Sequence, residues 1–101
     1  MRVIHKDAQL ERMEADADFN GGLSREIVSG FRRRMQQIRA ALDERTFYAV
    51  KSLHFEKLQG DRSHQRSMRI NDQWRLIVEL SEADDLGGKK TVVVVGIEDY
   101  H

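Results

Sequence analysis

Apolar side chains return at Ile27, Phe31, Met35, Ile38 and Leu42, in steps of four, four, three and four. That spacing lays one continuous stripe along an α-helix, and Ser24 stands where an N-cap belongs. Upstream, Asp7 can cap a shorter helix that runs to about Asp16 with Leu10 and Met13 turned inward. Asn20-Gly21-Gly22 then breaks it. The first five residues carry enough alternation for a short strand, and residues 43–51 suit one more helical turn with Phe47 and Val50 packed down.

From Leu53 the period changes to two. Leu53 and Phe55 alternate with His54 and Glu56, and Gly60-Asp61 makes a turn. Met68 and Ile70 alternate with Ser67, Arg69 and Asn71; beyond Asn71-Asp72 follow Trp74, Leu76, Val78 and Leu80. Residues 81–88 read as an acidic loop, and residues 91–97 form a β-branched run that is apolar on both faces. Such a run belongs inside a sheet rather than at its edge. Helices first and strands second predict an α+β domain, an antiparallel sheet with helices against one face.

The hairpin between Met68 and Leu80 can be read more finely. A two-residue loop would put Met68 on one face with Arg75 and mix core with solvent. A three-residue loop over 71–73 sets Ile70 opposite Trp74 and Met68 opposite Leu76, which leaves one clean apolar face. A one-residue slip inverts a whole strand, so burial selects the second register. Arg69 and Arg75 then face each other away from the core, and like charges directly opposite need compensation. Either carboxylates on neighbouring strands (Glu56, Glu79 or Asp99) and solvent supply it, or a phosphate does, recognised bidentately by the planar guanidinium.

The chain has 101 residues, which suits a single domain over 1–101. It contains neither cysteine nor proline. Disulfides, thiolate zinc sites and cysteine nucleophiles are therefore excluded, and a compact run of regular elements in a reducing cytoplasm is expected. No run approaches the roughly 18 apolar residues that span a bilayer. Lys plus Arg and Asp plus Glu stand at 17 each, a net charge of zero. The zero is a cancellation, because residues 24–75 carry +6 and the two ends together −6. Screening acts over only about 8–10 Å, so the middle can still present a strong positive field. Arg32, Arg33, Arg34 and Arg39 lie mostly off the apolar stripe, either as a solvated helix face or as a grip on RNA phosphates.

The chain ends Asp99-Tyr100-His101. A carboxylate, a phenol and an imidazole at the end of one strand are groups suited to proton transfer near neutrality, although a terminal Tyr-His is also what a frayed end looks like. His5, His54 and His64 have no metal-ligand spacing, and no glycine-rich phosphate loop is present, so neither metal nor cofactor is expected.

Two stretches resemble a known family. Leu58-Gln59-Gly60-Asp61-Arg62 followed by Ser67-Met68-Arg69-Ile70-Asn71-Asp72-Gln73-Trp74-Arg75-Leu76, together with the closing Glu98-Asp99-Tyr100-His101, is similar to the HigB branch of the RelE/ParE toxin superfamily. The resemblance implies a RelE-like fold: an antiparallel-centred sheet of about four strands with two to three helices on one face. It further implies a cytoplasmic toxin, neutralised by a HigA-type helix-turn-helix antitoxin, that enters the ribosomal A site and cuts mRNA without a metal. Asp99, Tyr100 and His101 match the terminal catalytic positions of that family, and Arg69 and Arg75 match its phosphate-contacting arginines. His54, Lys57 and Arg62, with Arg32, Arg33 and Arg34, are the implied RNA contacts. Glu56 and Gln59 stand where some members carry basic groups. Two other functions suit the same scaffold, a ParE-like inhibitor of DNA gyrase and a non-catalytic module that only binds an antitoxin.

Overall fold

The computed structural model of the chain describes residues 1–81 and 90–99. Five strands form one sheet: β1 (Arg2–His5), β2 (Glu56–Lys57), β3 (Gln65–Arg69), β4 (Trp74–Ser81) and β5 (Thr91–Asp99). Their order is β1-β5-β4-β3-β2. β1 runs parallel to β5 and every other pair is antiparallel, so the sheet is mixed and has one strand more than the expected four. The short strand expected over the first five residues forms as β1 and gains its hydrogen bonds from a partner some 90 residues away in sequence. The β-branched run is flanked on both sides, by β1 and β4, as a strand apolar on both faces requires. A bulge interrupts the β4–β5 ladder, where Ile77 faces Gly96 and Val78 faces Val94, leaving Val95 as the extra residue.

Helices α1 (Ala8–Ala15), α2 (Arg25–Ala40) and α3 (Arg45–Ala49) cover one face of this sheet. Both expected caps form. Asp7 accepts from the backbone N–H of Gln9 and Leu10, and Ser24 accepts from that of Ile27. Gly21 and Gly22 make the turn between α1 and α2 at positive φ, which costs glycine little. Phe31, Met35 and Ile38 from the α2 stripe meet Leu10, Met13, Phe47 and the sheet residues Met68, Leu76, Val78, Val92 and Val94 in one core. No helix among the described residues is long and apolar enough to cross a membrane.

Two expectations change. Leu42 does not complete the stripe: it is 87% exposed. The helix stops at Ala40 and the backbone turns extended at Ala41, so the helical period no longer governs, and Ala41 is buried in its place. The alternation from Leu53 to Glu56 is not a strand over its length either. Lys51–Leu53 is a 3₁₀ turn, closed by His54 in the left-handed region at φ 45°, and only Glu56–Lys57 pairs as β2. A reversal at His54 buries both Leu53 and Phe55, producing the same burial pattern that a strand would give. The acidic loop expected at 81–88 lies, beyond Ser81, outside the described residues.

Candidate active site

The hairpin adopts the three-residue loop. Met68 pairs with Leu76 and Arg69 with Arg75. Asn71 closes the loop through its side chain, whose Oδ1 accepts from the N–H of Gln73 at 2.9 Å and of Trp74 at 2.8 Å. The apolar side of the pair is buried under the helices, and the two arginines lie on the opposite face.

Their surroundings differ sharply. Arg75 is only 7% exposed. Its Nε donates to Ser67 Oγ at 3.1 Å, and its Nη2 donates to Ser67 Oγ at 2.8 Å, to the Ser67 carbonyl at 3.3 Å and to the carbonyl of His54. The left-handed turn at His54 is what brings that carbonyl into reach. Arg69 is more open and pairs with Asp72 three residues on. Of the carboxylates expected to compensate the pair, Glu79 is engaged by Gln65 at 3.1 Å, Lys6 at 3.4 Å and His64 at 3.7 Å. Those partners, with Gln65 foremost, hold its carboxyl below the usual range. Asp99 accepts from Gln73 Nε2 at 3.1 Å.

Arg75 lies where two open depressions meet. One, of about 400 Å³, is lined by His54, Glu56, Arg69, Asn71, Asp72 and Arg75. The other, of about 210 Å³, is lined by Leu58, Arg62, Ser67, Arg75, Ile77, Glu98 and Asp99. The geometry thus brings together Arg69, Arg75, Asp99 and the His54 segment. Tyr100 and His101 lie outside the described residues. On β2 the alternation places Glu56 opposite Ser67, on the arginine face, and Lys57 opposite Arg66 on the other. It is therefore Glu56 and not Lys57 that faces the larger depression. Among the described residues no three His, Asp or Glu side chains gather as a metal set.

The basic face of α2 divides residue by residue. Arg32 donates from Nε to the Met13 carbonyl at 3.0 Å and from Nη2 to those of Asp16, Ala17 and Phe19 at 3.0–3.2 Å, closing the open end of α1. Arg34 donates from Nε to the Arg69 carbonyl and from Nη1 to Gln37 at 2.9 Å. Burial, and after it the charges of Arg33 and Arg69, lower its pKa from the usual arginine value. Arg39 makes a two-pronged pair with Glu14 at 2.5 and 2.8 Å. Arg33 alone of these is exposed with no hydrogen bond or ion pair among the described residues.

Two contributors were not evident in the sequence. Ser67 carries Arg75, although a serine in a strand gives no such signal. Gly30 lets α2 approach the hairpin: a Cβ there would lie 2.6 Å from Ile70 Cγ2 and 3.3 Å from the Ile70 carbonyl. Glu26, Gly30 and Arg34, spaced by four, meet Asn71, Ile70 and Arg69 in turn, so one face of α2 fixes the end of β3, where Arg69 stands, and the loop that follows it. A lone glycine within a helical pattern was the available clue, because it costs about 1 kcal/mol against alanine unless packing requires it.

Known proteins give this geometry its context. Residues 4–87 match the family model of the RelE-like toxin of type II toxin-antitoxin system HigB. No curated protein matches the sequence. Among solved structures, a YoeB/ParE toxin from Agrobacterium tumefaciens superposes over the whole of both chains with a TM-score of 0.61 at 14% identity, a likeness of fold. The family match spans α1 to β4, including the arginine hairpin and the turn that supports it, and the chain belongs to the HigB-like family of RelE-related toxins of type II toxin–antitoxin systems.

Proposed function

We propose that this toxin is a ribosome-dependent endoribonuclease, one domain over residues 1–101, that enters the ribosomal A site in the cytoplasm and cuts mRNA through the RNA's own 2′-hydroxyl. The observation that carries the reading is Arg75: a nearly buried guanidinium, fixed by oxygens of Ser67 and His54, at the meeting of two open depressions and opposite Arg69. Membership in a type II family gives the chain a protein antitoxin as partner. A HigA-type helix-turn-helix protein is the proposed one.

The reaction needs a base for the 2′-hydroxyl, cations for the charge that grows on the phosphorane, and an acid for the leaving 5′-oxygen. Arg75 and Arg69 supply the cations. Arg75 is held in one orientation before substrate arrives, so little reorganisation accompanies the transition state. His101 exchanges the proton, oriented by Asp99, and Tyr100 contacts the leaving group. His54 and Arg33 line the path of the RNA in this reading, whereas Arg32 and Arg34 serve the fold, Arg62 is taken up by Glu98 and Lys57 stands on the other face of β2. No metal or cofactor enters the mechanism.

Pulsed expression should arrest growth, and primer extension should show new mRNA 5′ ends inside translated codons. Deleting Tyr100-His101 should abolish those ends while leaving antitoxin binding unchanged. Arrest with intact messages overturns the reading. Inhibition of supercoiling by purified gyrase would replace it with the ParE-like function, and antitoxin binding without toxicity would replace it with a non-catalytic module. Glu56, facing the larger depression where some relatives carry a base, is the residue to change first in that last case.

A further inference from the structure

Arg75 and Glu98 are direct partners across β4 and β5. Their side chains leave the same face from positions about 5 Å apart, the separation at which opposite charges on neighbouring strands normally pair. Both also line the smaller depression. Yet the Glu98 carboxylate turns the other way. Its Oε1 accepts from Arg62 Nη1 at 2.9 Å and its Oε2 from Nη2 at 2.6 Å. Arg62 is itself oriented from behind, its Nε donating to Gln65 Oε1 at 2.9 Å. The residue sits at the end of the 3₁₀ turn Gly60–Arg62, which Gly60 enters at φ 65° and which lifts the chain over the sheet just before β3.

Stability is a poor reason for this arrangement. Both side chains are 45% exposed, and exposed ion pairs contribute little to folding. What the arrangement does control is which cation a strategically placed carboxylate faces. We propose that Arg62 is a positioning residue that holds Glu98 back from Arg75, so that Glu98 does not compete with the scissile phosphate for that guanidinium. The proposal rests on Arg75 being a phosphate contact, as argued above.

A neutral side chain at position 62 releases Glu98. Its carboxylate then stands beside Arg75, its cross-strand partner on the same face, and a carboxylate and a phosphate draw on the same guanidinium donors. The substrate must displace it and also approach an uncompensated negative charge. Neutralising Glu98 as well removes the competitor. A direct Arg62–RNA contact predicts something different, because no change at Glu98 can replace a lost contact.

The test is single-turnover cleavage of mRNA on programmed ribosomes by the purified full chain. Arg62→Gln should cleave at least about tenfold more slowly, Glu98→Gln should stay within about twofold of the parent, and the double variant should recover to within about threefold. A double variant as slow as Arg62→Gln, or an Arg62→Gln protein as fast as the parent, overturns the proposal. Thermal melts of all variants should coincide with the parent's, since the pair is exposed; a double variant that regains stability and cleavage together, from an unstable Arg62→Gln, also overturns it. Arg75→Gln is the independent arm. If it cleaves normally, the phosphate reading itself fails; if it is inactive, the positioning role stands or falls on the rescue alone.

Discussion

Helix α2 and the β3–β4 hairpin both look basic in the sequence, and the fold treats them in opposite ways. On α2, Arg32 closes the end of α1, Arg39 grips Glu14, and Arg34 reaches the backbone of the hairpin. These arginines tie elements together, and only Arg33 points outward without a partner among the described residues. On the hairpin, Arg75 is held by neutral oxygens of Ser67 and His54 and borders two depressions. A row of cations on a helix is therefore not a measure of charge offered to RNA. Burial and hydrogen-bond geometry decide which guanidinium ties elements together and which borders an open depression.

The largest expected effect separates the two regions most directly. Arg75→Ala should lower ribosome-dependent cleavage by about 10²–10³-fold, the loss associated with one preorganised donor at a developing anion. Single-turnover assays on programmed ribosomes measure it, and a comparable loss per folded molecule in Arg32→Ala would erase the distinction. For Arg32→Ala the expected loss is instead in stability, about 1.5–3 kcal/mol for hydrogen bonds from a charged group, read from urea denaturation. Its cleavage rate per folded molecule should match the parent's.

Gly30→Ala comes next. The added methyl meets Ile70 at 2.6 Å, so the helix or the loop must shift, and overpacking of this kind costs about 1–3 kcal/mol. Because Ile70 directly follows Arg69 at the end of β3, amide chemical shifts of Arg69 and Ile70 should move most. Unmoved shifts there would show that α2 does not set the hairpin's position.

The smallest effect is a pH dependence on the α2 side. Arg39, and to a lesser extent His5, hold the Glu14 carboxyl below its ordinary value of 4.5. A depressed folded-state pKa means that the unfolded chain takes up the proton first as pH falls. The contribution of Glu14 is thus full above about pH 4.5 and disappears as pH drops through the folded value. Melting temperatures of the parent and Glu14→Gln should differ at neutral pH and converge in acid. Curves that stay parallel across that range would remove Glu14–Arg39 from the list of ties.

Much of the frame was legible beforehand. Asp7 and Ser24 cap their helices, the α2 stripe from Phe31 to Ile38 is buried, and parity alone selected the hairpin register that sets Arg69 against Arg75. The site was legible only in part. The arginine pair could be found, but Ser67, the carbonyl of His54, and the diversion of Glu98 to Arg62 could not. Leu42 continued the spacing and still fell outside, because the helix ended two residues earlier.

The division has a physical origin. Caps, helical stripes and the parity of a hairpin depend on hydrogen bonds and burial among residues a few positions apart, so the sequence by itself determined them. The parallel addition of β1 to β5, the support of Arg75 by His54, and the joining of Arg62 to Glu98 link residues 21 to about 90 positions apart. Such pairings depend on where whole elements come to rest against a shared core, and for that reason only the tertiary structure decided which of the chain's many arginines tie elements together and which border the open depressions.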